Sequence, residues 1–357
     1  MNWFFSKAKG KTHPFDPTVL GYRIGRSEHE DRCIGSLLGC ACGDVLGANC
    51  EFESRSEIKR KYGTVHSFAD SSWRPFGMYT DDTEMTLALA SSIVHCRGLD
   101  PEHCAATYAS YFQSAPRRGY GPSVTKVLEM LLDGVDYRTT GTAVHEGGSY
   151  GNGGAMRIAP VGLVFRNATD SVLREAVRLA LLPTHVHGEA IDGAFIQAKT
   201  VALMAEWKIA HDLDVIGLLE QLRDAASIES LSVKINEVIA AHREKWSPEK
   251  VLDRVCSPNQ FGEHFQIRTA DAVACVLWAF SNHWQDPERC IVETVALGGD
   301  TDTLGAMAGA IVGALHSTHW LPLRWYENME NEGAFGRDGI IDVAKRIAQF
   351  DFRSVAA

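Results

Sequence analysis

Glycine recurs at every fourth position in two apolar segments of this chain, and that spacing constrains the fold more than any other feature. In DRCIGSLLGCACGDVLGA the glycines are Gly35, Gly39, Gly43 and Gly47; in LGGDTDTLGAMAGAIVGALH they are Gly305, Gly309 and Gly313. Four residues is close to one helical turn, so each set lies along one face of a helix. Glycine inside a helix costs about 1 kcal/mol relative to alanine, and it leaves a surface that another backbone can approach closely. Both segments therefore read as closely packed buried helices. Membrane dimer motifs share this spacing, but these apolar stretches fall short of the ~20 residues needed to span a bilayer.

Helical periodicity dominates the remainder. Helices are predicted over 80–96, 101–114, 122–133, 170–182, 187–208, 213–225, 229–243, 268–282, 286–296, 303–316 and 338–349, and almost nothing alternates with period two. The fold class is all-α. No Pro/Ser-rich linker and no fixed-period repeat divides the 357 residues, so one compact domain is expected. Residues 1–27, basic and aromatic with two prolines, read as an N-terminal extension outside the core, with 28–357 as the domain proper. The stretch 48–79 is polar and broken by glycine and proline. A connection that long inside one domain reads as a lid or binding loop.

The chain carries 45 acidic and 35 basic residues, a formal charge of −10. That disfavours nucleic acid or an anionic membrane as the main partner, local basic patches aside. An anionic ligand must then be met by metal, by backbone N–H groups or by a local cluster. Nine cysteines occur without a CxxC pair, several inside apolar helical patterns, so buried free thiols in a reducing compartment are expected. The N-terminal apolar run of three residues is too short for a signal peptide, and a cytoplasmic location is expected.

Two helix starts are crowded with hard oxygen ligands. One is Thr80-Asp81-Asp82-Thr83; the other is Asp300-Thr301-Asp302-Thr303, preceded by two glycines. Capping accounts for one side chain at each start, since a helix N-terminus favours an Asp or Thr there. It does not account for two aspartates at both, because gathered carboxylates repel unless a cation joins them. If the two starts face one cleft, they form the ligand set of two divalent ions ~3.5–4 Å apart. Mg²⁺ suits a site with few protein ligands and free positions for water and substrate oxygens. A third segment, HEGGSYGNGGAMRIAP at 145–160, is glycine-rich and reads either as a turn or as a loop whose N–H groups cradle phosphate, with Tyr150 offering a ring for stacking. His185 and His187 stand two apart, but without further soft ligands nearby they read as satisfied histidines rather than a zinc site.

GDVLGANCEF (43–52), YTDDTEM (79–85), GNGGAMRIAP (151–160) and LGGDTDTLGAMAGA (297–310) resemble the ADP-ribosylglycohydrolase family in order and spacing, over roughly residues 30–350. The resemblance implies an orthogonal all-α helical domain, two Mg²⁺ ions and hydrolysis of the glycosidic bond between ADP-ribose and an acceptor. RGYGPSV (118–124), GSYGNGGAMR (148–157) and the Thr184–His185 pair are most similar to the branch that removes O-linked ADP-ribose from serine. Poly(ADP-ribose) and O-acetyl-ADP-ribose present the same distal ribose.

Carried onto matching positions, the implied metal ligands are Thr80, Asp81, Asp82, Asp300, Asp302 and Thr303, with Glu51 contacting a metal in the closed empty site. Glu51, on a mobile loop, is the implied catalytic acid or base, together with Asp81 and Asp302 at the metals; Glu53 is its local competitor, and Asp44 an orienting group. Gly147, Gly148, Ser149, Tyr150, Gly151, Asn152 and Gly153 are the implied contacts to diphosphate and adenosine, with His185 at the adenosine end. One departure is that Val144 and His145 stand where the serine branch carries an aromatic before the glycine loop. The implied partner is an ADP-ribosylated protein or an ADP-ribose-containing small molecule, bound by a monomer. Two further readings are hydrolysis of ADP-ribosyl-arginine, as in the nitrogenase-reductase-activating branch, and a non-catalytic binding or structural member like the lens crystallins of this fold. The intact aspartate set opposes the latter.

Overall fold

A computed structural model describes residues 16–71, 74–115, 117–208, 212–259, 262–332 and 335–352. Along the chain lie α1 (Glu28–Gly47), β1 (Glu53–Ser54), α2 (Arg55–Tyr62), α3 (Asp81–Cys96), α4 (Pro101–Ser114), α5 (Pro122–Leu132) and α6 (Tyr137–Ala143). There follow α7 (Gly153–Met156), α8 (Ala159–Val164), α9 (Asp170–Leu181), α10 (Gly188–Glu206), α11 (Val215–Ala225), α12 (Glu229–Glu244) and α13 (Pro248–Val255). The chain ends with α14 (Thr269–His283), α15 (Pro287–Val295), β2 (Gly298–Gly299), α16 (Thr301–His316), α17 (Leu323–Tyr326) and α18 (Arg337–Ile347). The all-α expectation holds, with one two-residue antiparallel ladder between β1 and β2.

Local chemistry sets the helix starts. Asp100, Ser247 and Asp286 each accept a backbone N–H from the turn they precede, and proline follows each at the first helical position. The stretch expected as an open loop at 48–79 contains α2, whose Ser54 and Glu57 form a reciprocal capping box. That signal was readable at 54–57, but eight residues with one buried apolar side chain, Ile58, show no period. The other unexpected helices, α6, α7, α8, α13 and α17, are likewise four to eight residues long.

α1 and α16 are the central pair, and every residue of α16 is buried. Their glycine faces meet in antiparallel register. A Cβ on Gly39 would stand 2.2 Å from the Gly309 carbonyl oxygen, one on Gly43 2.0 Å from that of Gly305, and one on Gly47 2.1 Å from that of Thr301. No side chain fits at such distances, so the backbones are in contact along four turns. Polar stitches follow the seam, with Ser36 Oγ donating to the Ala310 carbonyl at 2.9 Å and Thr301 Oγ1 to that of Gly47 at 2.8 Å. The consequence is positional. The C-terminal end of α1, with Asp44 and the turn carrying Glu51, is fixed beside the N-terminal end of α16.

Residues 1–15 of the N-terminal segment lie outside the described residues. From Thr18 onward it runs against 318–323: the Leu20 N–H donates to the Leu321 carbonyl at 2.8 Å, and Leu20 is buried. All nine cysteines are free, eight of them buried, and burial raises thiols such as Cys33, to about 12. No helix among the described residues is long and apolar enough to cross a membrane.

Candidate active site

The start of α3 is capped from outside its own sequence. Asp44 of α1 accepts the Thr80 N–H (2.9 and 3.1 Å), the Thr83 N–H (3.0 Å) and the Thr83 hydroxyl (2.5 Å). Because Asp44 takes these orphan donors, Asp81 and Asp82 are released from capping. The Thr80 hydroxyl donates to one oxygen of Asp82 at 3.1 Å; the other, Oδ1, is buried without a hydrogen-bond partner. The N–H of Asp81 goes to the Arg118 carbonyl at 2.8 Å. Arg118 is itself clamped: its guanidinium lies 3.8 Å over the Tyr79 ring and pairs with Glu330 at 2.5 Å and Glu84 at 3.3 Å.

The start of α16 is aimed by the small ladder. Glu53 pairs with Gly299 and Ser54 with Gly298, both glycines at positive φ (+80° and +83°). A Cβ on Gly298 would lie 2.6 Å from the Glu53 carbonyl oxygen, and one on Gly299 2.7 Å from that of His264, so this position admits only glycine. Asp300 precedes α16 but makes no capping hydrogen bond. Its Oδ2 instead accepts the Asn152 side-chain amide at 2.6 Å. Asp302 accepts the Thr303 N–H at 3.0 Å. Carboxylate oxygens of Glu51, Asp300 and Asp302 all lie within 4.8 Å of one another, the one such group that could hold a metal ion among the described residues.

The two halves foreseen in the sequence therefore share one site. Burial, reinforced by the neighbouring carboxylates, raises Asp81, Asp82 and Asp302 well above the usual carboxylate range. Asp44 and Asp300 are raised by burial in spite of the hydrogen bonds that oppose it. The buried Arg74 feels Asp44, Asp302 and Glu51, yet its guanidinium donates to the carbonyls of Met78 and Val45. One guanidinium does not balance six carboxylates. The orphaned Oδ1 of Asp82 and the close trio of oxygens fit hard divalent cations, which need oxygen ligands and cancel this repulsion.

From the acidic end a cleft of about 770 Å³ runs past the glycine-rich loop. Gly148, Ser149, Tyr150, Gly151, Asn152, Gly153 and His185 line it together with Glu51, Asp81, Asp82, Asp300, Asp302 and Thr303. Thr80 and Gly147 are not among its walls; Thr80 stands behind Asp82, and Gly147 shapes the loop at φ +75°. The loop is held from both sides. Asn152 Nδ2 also donates to the Gln266 carbonyl (3.0 Å), and Thr269 Oγ1 to the Tyr150 and Gly151 carbonyls (2.8 and 2.6 Å). Tyr150 is 55% exposed, its ring edge-on to His187 with the Arg268 guanidinium 5.9 Å over its centroid, an aromatic surface suited to stacking. Val144 and His145 line the same cleft, His145 Nε2 lying 3.0 Å from the Ser123 hydroxyl.

His185 is held neutral, its pKa pushed down to about 3 by burial and by the Arg157 charge. Its Nδ1 contacts the Thr184 hydroxyl at 2.9 Å, and Arg157 reaches Thr184 as well as the Gly153 carbonyl (2.8 Å). His187 is the N-cap of α10, its Nδ1 accepting the Glu189 N–H at 3.2 Å. Arg118 and Arg157 were missed as supports of the site, since Arg118 acts on Asp81 and Arg157 on Thr184, partners distant in sequence. So was the 265–268 strap, whose Phe265 carbonyl accepts the Asp300 N–H at 3.1 Å and whose Ile267 carbonyl accepts that of Asn152 at 2.9 Å.

Comparison with known proteins agrees with this geometry. The ADP-ribosylglycohydrolase family model matches residues 25–354. ADP-ribosylhydrolase ARH3 of Danio rerio is 32% identical over 340 residues, spanning 88% of this chain and 90% of that protein. The Homo sapiens protein of the same name is 30% identical over 335 residues, spanning 86% and 91%. A solved structure titled "ADP-ribosylglycohydrolase-related protein complex" superposes with a TM-score of 0.67 at 25% identity, covering 91% of this chain and 99% of that one. A match across nearly the whole chain, joined to a cleft with an acidic end and a glycine-lined end, shows that the chain belongs to the ADP-ribosylglycohydrolase family and is a hydrolase of ADP-ribose glycosidic bonds.

Proposed function

We propose that this hydrolase releases O-linked ADP-ribose from serine in proteins and depends on two Mg²⁺ ions held by Thr80, Asp81, Asp82, Asp300, Asp302 and Thr303. The observation that carries the metal part is the buried, partnerless Oδ1 of Asp82 inside a cluster of six carboxylates. When bound, the ions supply Lewis-acid stabilisation of the distal ribose oxygens and a water of lowered pKa. The chain's own groups do the rest. The backbone of the Gly148–Gly153 loop meets the diphosphate, Tyr150 stacks on the adenine, and neutral His185 lines the wall beside them. Glu51, at the acidic end, transfers the proton that the leaving oxygen gains or the attacking water loses. Asn152 fixes Asp300 while belonging to the ligand loop, so the ribose and the diphosphate are registered on one frame.

The serine assignment rests on Arg118–Val124, Gly148–Arg157 and Thr184–His185, where the wording is nearest the serine-specific branch. The test is incubation with serine-linked and arginine-linked ADP-ribosylated peptides, with Mg²⁺ or with EDTA, read by mass spectrometry. Release from the serine peptide in Mg²⁺ alone is expected. Release from the arginine peptide only would replace the acceptor, and turnover that persists in EDTA would remove the metals from the mechanism.

A further inference from the structure

Phe52 directly follows Glu51 and breaks two ordinary rules for a phenylalanine. Its φ is +58°, the left-handed region, and its side chain is 50% exposed. It sits third in a tight turn closed by the Glu53 N–H on the Cys50 carbonyl at 3.0 Å, a place where glycine or asparagine fits without strain. Strain of this kind points to function when the surroundings hold it in place. Here they do. The Phe52 N–H donates to the Gly299 carbonyl at 2.7 Å, and its ring packs on Phe265 at 5.5 Å between centroids, tilted by 59°. The same turn aims Glu51 at Asp300 and Asp302.

Phe52 lines the cleft at its acidic end. On the reading proposed above, ADP-ribose fills the cleft from the metals towards Tyr150, and the bond that breaks lies beside Glu51. A ring held next to Glu51 then faces the group that leaves. Phe265 backs this ring, and two residues further along the same strap Ile267, 44% exposed, also lines the cleft. We infer that Phe52 is the acceptor-side specificity residue: its ring seats the peptide segment flanking the modified residue, so that the hydrolase favours peptide-borne acceptors over free ones. An aromatic face suits this role, because it gives a large contact area with only two side-chain torsions to freeze.

The test compares Phe52→Gly, which suits the backbone and removes the ring, Phe52→Leu, and Phe52→Tyr, which keeps the ring. For each Mg²⁺-loaded protein, kcat/KM is measured on an ADP-ribosyl-serine peptide and on free ADP-ribosyl-serine, and ADP-ribose affinity by calorimetry. The ratio of the two kcat/KM values is expected to fall roughly tenfold in Phe52→Gly, less in Phe52→Leu, and to return in Phe52→Tyr, as for loss of one apolar contact made by one substrate only. ADP-ribose affinity is expected to stay within twofold. An unchanged ratio in Phe52→Gly overturns the inference, whatever happens to the common rate. So does an ADP-ribose affinity that falls in step with peptide turnover, which would place the ring on the nucleotide. Wild-type protein that turns over neither substrate would instead overturn the serine reading, a result visible before any variant is compared.

Discussion

Asp82 condenses the chemistry of the site into one side chain. One oxygen is bonded to Thr80; the other is buried with no partner, an arrangement that a folded core tolerates only with a compensating charge. Asp302→Ala is expected to abolish divalent-ion binding in calorimetry and hydrolysis with it. Asp82→Asn should do likewise, yet in EDTA it should melt higher than the wild type, because it removes a buried repulsive charge. Glu51→Gln should keep ADP-ribose affinity while hydrolysis falls by ~100-fold or more, the scale of a lost proton transfer; undiminished turnover would assign the proton to another group. These aspartates were legible as a group because two helix starts each carry two of them, more than capping uses. Their supports were less so. Asp44 acts across 36 residues on Thr80, and Asn152 across 148 on Asp300, and nothing in local spacing announces either. His187 shows the converse, a motif-like histidine whose Nδ1 caps a helix while its ring lines the cleft beside Tyr150.

At the level of helices, the sequence indicated that α1 and α16 are each approached closely, but not by each other. Four-residue glycine spacing specifies a contact distance and leaves the partner open. The register, Gly39 on Gly309 and Gly43 on Gly305, is a tertiary fact. Long amphipathic helices such as α9 and α12 matched their periodicity to within a residue or two, whereas helices of one or two turns were invisible because a period needs length to show. Gly309→Ala would put a Cβ 1.9 Å from the Gly39 carbonyl oxygen, so it should destabilise by about 3 kcal/mol or more, at the upper end for overpacking. Gly98→Ala, with nothing within 4 Å, should be near neutral in the same denaturation series. Since the seam sets where Asp44 meets α3, the Gly309 variant should also lose activity before it unfolds.

Across the whole molecule, the proposed function asks a chain of net charge −10 to hold a diphosphate with cations and loop N–H groups rather than a basic surface. That arrangement has a pH signature. The folded-state values of Asp81, Asp82 and Asp302 lie above their unfolded ones, so the metal-free folded state holds more protons than the unfolded state. Their contribution to stability is present below the unfolded value and is lost as pH rises through the raised values. The melting temperature in EDTA should therefore fall as pH rises above the ordinary carboxylate range, and saturating Mg²⁺ should flatten that slope. The Asn152 amide, shared by Asp300 and the Gln266 carbonyl, reaches further still. A residue common to both halves offers a route for coupling them, and coupling is reciprocal: whatever factor ADP-ribose contributes to Mg²⁺ affinity, Mg²⁺ must return to ADP-ribose. Calorimetric titrations of each in the presence of the other should give one coupling factor, reduced in Asn152→Ala. Because the product keeps its diphosphate, it inherits that cooperativity, and its departure should quicken as free Mg²⁺ is lowered.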